Sequence, residues 1–361
     1  MGRSRKGRPE TGIRAARVSS SVTRTLVLLA VVSAAGAQAP RVGDINFYGL
    51  RKVAAERILS ALELKSGDPL PASKADLEER IEKVPGVAIA RVEAVCCEGP
   101  DVTLFIGIEE KGAPLPALRT APAGSATLPQ ELTDIYREFL GAVARAAAQG
   151  NAGEDLTAGH SMMADPEARA AQERFASFAA DHLDLLRDVL RNAAEPDERS
   201  TAAAVIGYAP KKREVVNDLQ YAVQDPDESV RANAMRSLRA IAVLAAKEPG
   251  LGIRVSPTWF VQLLQSIVLS DRVQSAEALV TLTDRGDPAA LDQIRESALP
   301  ALAEMARWKT LRYALPPFLL LGRVAGVADA KLHQLWEKGE RETVIRQALG
   351  QSGGSRRKRG G

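Results

Sequence analysis

Beyond Pro196, an alanine followed four residues later by a large apolar side chain recurs along the chain, as Ala204/Tyr208, Ala234/Leu238, Ala278/Leu282 and Ala314/Phe318. The spacings are 30, 44 and 36 residues. A repeating unit of that length cannot bury its apolar face alone, whereas stacked copies bury a continuous one, so the feature points to an array of paired helices. Composition agrees. Aromatic residues are only 4% of the 361-residue chain, and abundant alanine suits close helix packing better than an aromatic-lined ligand pocket. The helical period begins upstream with the stripe Leu132, Ile135, Tyr136, Phe139, Leu140 and Val143. After a polar loop over 151–165, a second helix carries Phe175, Phe178, Leu183, Leu186 and Leu190 on one face. Residues 128–349 are therefore expected to be helical throughout and to pack as antiparallel pairs, with Pro300 and Pro316-Pro317 interrupting the later helices.

The clearest copy of the repeat reads Asp225-Pro226-Asp227-Glu228-Ser229-Val230-Arg231-Ala232-Asn233-Ala234, then Leu238. It resembles the second helix of a HEAT-type repeat, in which an acidic N-cap starts the helix, small residues admit the partner helix and the leucine fills the core. The other copies lack the intact Val-Arg pair, so the array is expected to be irregular.

The N-terminal part has a different period. In Val42 to Gly49, Ile45 and Phe47 alternate with Asp44 and Asn46, as a half-buried strand requires. Two short amphipathic helices follow, the first with Val53, Ile58, Leu59 and Leu62 on one face, the second starting at Ser73 with Leu77, Ile81 and Val84. Val87–Cys97 and Val102–Ile108 then form a hairpin around the turn-rich Glu98-Gly99-Pro100-Asp101. The order βααββ predicts an α+β module with a three-stranded sheet over residues 42–111. Its opening strand ending in Gly49, the loop Lys65 to Leu70, Pro85-Gly86-Val87 and the closing Ile108-Glu109-Glu110 resemble a POTRA (polypeptide-transport-associated) module. The resemblance implies docking of peptides or neighbouring subunits, for which strand addition at a sheet edge is the physical means. Residues 112–127, rich in proline and alanine, read as a linker that holds the two parts apart.

Charge is unevenly divided. Residues 1–39 hold seven basic side chains against Glu10, and the tail adds Arg356, Arg357, Lys358 and Arg359. That leaves 37 basic against 44 acidic residues over 40–355, a net of −7. An acidic body repels a phosphate backbone, so nucleic acid is not the expected partner, and residues 350–361 are expected to be a disordered basic tail. The basic stretch ending at Arg24, the apolar run Leu26–Val32 and the small residues Ala35-Gly36-Ala37 form a secretory signal over 1–37, cleaved near Gln38. The alternative is an N-terminal membrane anchor, for which Thr25–Ala37 falls short of the roughly 20 apolar residues a spanning helix needs. The protein is thus expected in the periplasm or another extracytoplasmic space.

Catalytic constellations are not evident. His160, His182 and His333 are far apart, His182 lies on an apolar helix face, and the two adjacent cysteines, Cys96 and Cys97, read as strand residues facing opposite ways. Acidic clusters such as Glu78-Glu79 and Asp225-Asp227-Glu228 fit helix capping and solvation, and Arg285-Gly286-Asp287-Pro288 reads as a helix N-cap more than as an adhesion tripeptide. No cofactor, metal or small-molecule substrate is expected.

The reading that follows is a scaffold for protein or peptide partners in the cell envelope, not an enzyme. An exported enzyme with an unrecognised site in the helical domain and a nucleic-acid-binding HEAT-like protein are the alternatives. The third strand is the most continuously apolar and belongs in the sheet centre, which leaves the second at an edge. Alternation turns Ala90, Val92, Ala94 and Cys96 towards the helices. Arg91, Glu93, Val95 and Cys97 then face outward with Tyr48 and Phe105, a patch expected to seat either a partner peptide or the helical domain itself.

Overall fold

The computed structural model describes residues 40–96, 101–284 and 286–358. The segment expected to be a secretory signal, Cys97, the turn residues 98–100 and Arg285 lie outside the described residues. The N-terminal module runs β1 (Val42–Tyr48), α1 (Ala55–Leu62), α2 (Lys74–Glu82), β2 (Val87–Val95) and β3 (Val102–Glu110). The sheet order is β1-β3-β2, with β3 parallel to β1 and antiparallel to β2, so the most apolar strand is central as expected. Helices α1 and α2 cover one face, where Ile58, Leu62, Leu77 and Ile81 pack with Ala90, Val92, Leu104, Ile106 and Ile108. Ser73 caps α2 by accepting the Asp76 amide. Glu110 staples the module shut: its carboxylate accepts the amides of Arg51, Lys52 and Val53 at 2.7–3.0 Å. Burial pulls the Glu110 pKa upward, but those three amides outweigh it and hold the group below its ordinary value.

The remainder is helical: α3 (Gln130–Ala148), α4 (Pro166–Asp181), α5 (Leu183–Asn192), α6 (Pro196–Ile206), α7 (Lys212–Ala222), α8 (Glu228–Lys247), α9 (Thr258–Leu263), α10 (Leu269–Thr283), α11 (Pro288–Ser297), α12 (Leu299–Ala306), α13 (Leu311–Val324), α14 (Asp329–Glu337) and α15 (Arg341–Lys358). Helix α5 packs on α6, α7 on α8, α9 on α10 and α12 on α13, while α6, α8, α10 and α13 stack in succession. Short connections make each pair antiparallel. Among the described residues, no helix is long and apolar enough to cross a membrane.

Several expectations need correction. The helical region is not helical throughout, because Glu154–Asp155 (β4) and Met162–Met163 (β5) pair as a short hairpin within the polar 151–165 loop. The second helix divides at His182, which is exposed at the junction and stacks on Phe178 instead of lying on an apolar face. Pro300 sits in the first turn of α12, where its missing N–H costs nothing. Pro316 and Pro317 do not interrupt α13; Pro317 and Phe318 are buried within it, and its packing on α10 and α12 holds it together. Helix α15 runs to Lys358, into the segment expected to be disordered.

Three buried arginines define the true register of the repeat. Arg199 donates to the carbonyls of Ala193 and Ala194, Arg231 to those of Asp225 and Pro226, and Arg272 to that of Ser266. Each reaches six residues back, closing the turn before its own helix. Counting from these arginines, the equivalents of Ala234/Leu238 are Ala202/Ile206 and Ser275/Leu279, all fully buried. The Ala204/Tyr208 and Ala278/Leu282 pairs are shifted from that register, and Ala204 is only half-buried. Ala234→Leu is therefore expected to overpack the α6–α8–α10 stack and cost about 1–3 kcal/mol, with Ala202→Leu alike and Ala204→Leu clearly milder. Urea denaturation of the three variants checks this order.

Candidate partner-binding cleft

Having closed its own turn, each arginine crosses to the next repeat. Arg199 is bidentate on Asp225 at 2.8 and 2.9 Å, and Arg231 is bidentate on Asp271 at 2.9 and 2.8 Å. Arg272 reaches Glu304 at 2.9 Å. Sequence reading assigned Asp225 to capping; its partner, 26 residues upstream, leaves no local pattern.

The third rung leaves the array and enters the sheet. Both oxygens of Glu304 accept the Gly49 amide, at 3.0 and 3.1 Å, and the Arg272 guanidinium lies 4.7 Å from the Tyr48 ring centre. Tyr48 Oη donates to the Ile267 carbonyl at 2.9 Å. Burial pushes the Glu304 pKa upward against the opposing pull of Arg272, and burial likewise raises that of Tyr48. Phe105 meets Trp308 and Tyr313 edge-on at 4.9 and 5.6 Å. A Cβ on Gly107 would collide with the Ile267 carbonyl and the Tyr48 ring, so the missing side chain is what admits the helical turn onto β3.

Tyr48 and Phe105 have no exposed surface. The occupant of the outward face is the helical array, and the two residues are not open to a separate partner. Val95 is half-buried against the array, Glu93 pairs with Lys74 at 2.7 Å, and Arg91 is exposed on β2. Ala94 pairs with Leu104 on the helix-facing side, as expected, but is exposed there. Strand β2 ends at Val95, so Cys96 is not a strand residue; it is disulfide-bonded. The edge of β2 is also guarded. Glu82 accepts the Ala90 amide at 3.0 Å and Glu78 accepts the Val92 amide at 2.9 Å, occupying donors that strand addition would use.

Nor does the 112–127 segment hold the parts apart. The Arg119 amide donates to the Gln224 carbonyl, its guanidinium lies 3.1 Å from the Tyr221 ring centre, and Gly124 forms a parallel bridge with Ala193. Leu128 N–H then donates to Glu198 at 2.7 Å. The segment is a strap along the loops of the repeats.

Where sheet, strap and array meet, a cleft of about 550 Å³ opens. Its apolar wall is Leu50, Ile108, Pro114, Leu115, Pro116 and Val261, and Arg51, Gln262, Gln265 and Glu304 supply the polar groups. Arg51 donates to Gln265 Oε1 at 3.0 Å and Gln265 Nε2 to the Ser297 carbonyl, which ties the module, the turn after α9 and the end of α11 together at the rim. Leu115 is left exposed. Sequence reasoning missed this cleft because its walls lie some 200 residues apart. Asp287 caps α11 through the amides of Ala289 and Ala290, as expected.

Among known proteins, similarity falls on the helical part. The profile described as HEAT repeats matches residues 183–249, which span α5 to α8. A designed armadillo repeat protein is similar at 16% identity and TM-score 0.33, covering 51% of this chain and 92% of its own. No curated protein matches. Residues 183–249 are thus similar to HEAT repeats, within a region of stacked helix pairs.

Removing one member of a buried ion pair strands the other charge, which costs about 3–5 kcal/mol. Asp271→Ala is expected to destabilise the protein by that amount, and Glu342→Gln, which breaks the exposed Arg307–Glu342 pair, by less than about 1 kcal/mol. Chemical denaturation midpoints test the contrast.

Proposed function

We propose that the chain is an exported, extracytoplasmic scaffold in which a POTRA-like module and a HEAT-like array act as one body, holding an extended segment of a partner protein in the cleft between them. The observation that carries this reading is that neither part forms the cleft alone: Ile108 and Leu50 come from the module, Leu115 from the strap, and Val261 and Gln262 from the array. An apolar wall with side-chain amides at its rim suits a polypeptide, whose backbone needs hydrogen-bond partners wherever its side chains are buried. Export is supported by the order of basic, apolar and small residues over 1–37.

A photo-crosslinking residue placed at Gln262 in intact cells tests both parts. The expected result is a discrete adduct that is absent when the probe sits at Glu131 on α3 and lost in Leu115→Arg, on a chain whose N-terminus is near Gln38. Equal labelling at both positions would refute the cleft, and a cytoplasmic chain retaining Arg3–Arg24 would refute export.

A further inference from the structure

The loop between β4 and β5 closes over a small aromatic cavity, and what holds it down is a histidine set against a buried lysine. Lys212 is 7% exposed, and no carboxylate pairs with it among the described residues. Its Nζ donates to the Gly207 carbonyl at 2.5 Å and contacts His160 Nδ1 at 3.2 Å, a distance at which the neutral imidazole accepts from the ammonium. Gly159, at φ +76°, brings the loop so close that a Cβ there would meet Leu244 and the Lys212 stem. Beneath the loop lies a cavity of about 90 Å³ walled by Tyr136, Phe139, Phe175 and Tyr208, with the His160 ring 5.1 Å from that of Tyr208.

We propose that the 156–161 loop is an acid-released latch, in which a proton taken up by His160 Nδ1 replaces an accepted hydrogen bond with repulsion from Lys212 and lifts the loop off α7 and α8, opening the aromatic cavity. The groups facing His160 are Lys212 from α7, Tyr208 from the turn after α6 and Asp155 from β4; Arg236 of α8 lines the same cavity, and Glu154 of β4 bonds the neighbouring Ser161. Burial first, then the charge of Lys212, depresses the His160 pKa from 6.5 to about 4, against the opposing pull of a hydrogen bond to the Ala158 backbone and of the Asp155 charge. A depressed histidine favours the closed loop when neutral, so the closed state loses stability as pH falls from 6.5 towards 4 and loses no more below it. Burial lowers Lys212 to about 8, so it carries its charge throughout that window. The hairpin has a second tie, in which Glu154 accepts from Ser161 and Arg236, each at 2.6 Å. Burial raises the Glu154 pKa, but Arg236 and Ser161 outweigh it and hold the group below its ordinary value.

Methionine methyl NMR on the full chain separates these groups, because Met162 and Met163 lie on β5 whereas Met235 and Met305 are buried elsewhere in the array. On lowering the pH from 7.5 to 4, the Met162 and Met163 signals are expected to shift along with the His160 ring proton while Met235 and Met305 stay in place. His160→Gln keeps an acceptor for Lys212 without titrating and should abolish the shift. Lys212→Met should move the His160 midpoint up towards 6.5 and shrink the methyl shift, since burial alone then opposes protonation. Still Met162 and Met163 signals through the wild-type histidine titration would overturn the latch. So would an unchanged transition in His160→Gln, which assigns it to Glu154, or movement of all four methionines together, which marks global unfolding.

Discussion

A guanidinium taken out of water is tolerable only if most of its donors find acceptors, and in this protein that requirement ties each repeat to the next. Arg199 and Arg231 each spend donors on the carbonyls of their own turn and the remaining fork on a carboxylate of the following repeat. Such a pair returns little net stability over apolar packing, since desolvation offsets most of its attraction, but it tolerates no other register. Because Arg231, Asp225 and Asp271 are all at most 2% exposed, a slip of one helix past another would leave a bare charge in the core.

The same constraint reaches the β-module. Arg272 has no bidentate aspartate ahead of it; Glu304 takes its place and spends both oxygens on Gly49 at the end of β1. Tyr48 lies under the guanidinium, and Phe105 fills the gap beside Trp308. The sheet thereby closes the ladder as a further repeat would, and its aromatic face becomes core. With the face covered and the β2 amides taken by Glu78 and Glu82, the large opening left at the seam is the cleft that sheet, strap and array build together.

Short-range features were legible. The period of two in β1, the apolar continuity of β3 and the caps Ser73, Asp227 and Asp287 each depend on residues within a few positions of one another. The ladder was not legible, because its pairs span 26 to 40 residues and any arginine and aspartate in a chain rich in both look alike until the turns are closed. The spacing of alanine and large apolar residues misplaced the repeat register, and a second local likeness points the same wrong way. Pro-Asp-Glu occurs at 196–198 and at 226–228, 30 residues apart, yet Pro196 opens α6 while Pro226 precedes the N-cap of α8. The arginines, 32 residues apart, carry the structural equivalence. In an alanine-rich helix several registers place an alanine four before a large side chain, so only the buried charges separate them. The docked sheet was half visible: alternation put Tyr48 and Phe105 on one face, but nothing local distinguished a partner from the chain's own helices.

The central claim is that the last rung joins module and array into one cooperative unit. Amide hydrogen exchange in Glu304→Ala measures it directly, since that change removes both the acceptor of Arg272 and that of Gly49. Faster exchange at Phe105 and Ile106 in β3, in step with amides of α10, is the result expected. Loss of protection confined to α10 and α12, with β3 unchanged, would mean that the sheet is held by other contacts and that the ladder stops at the edge of the array.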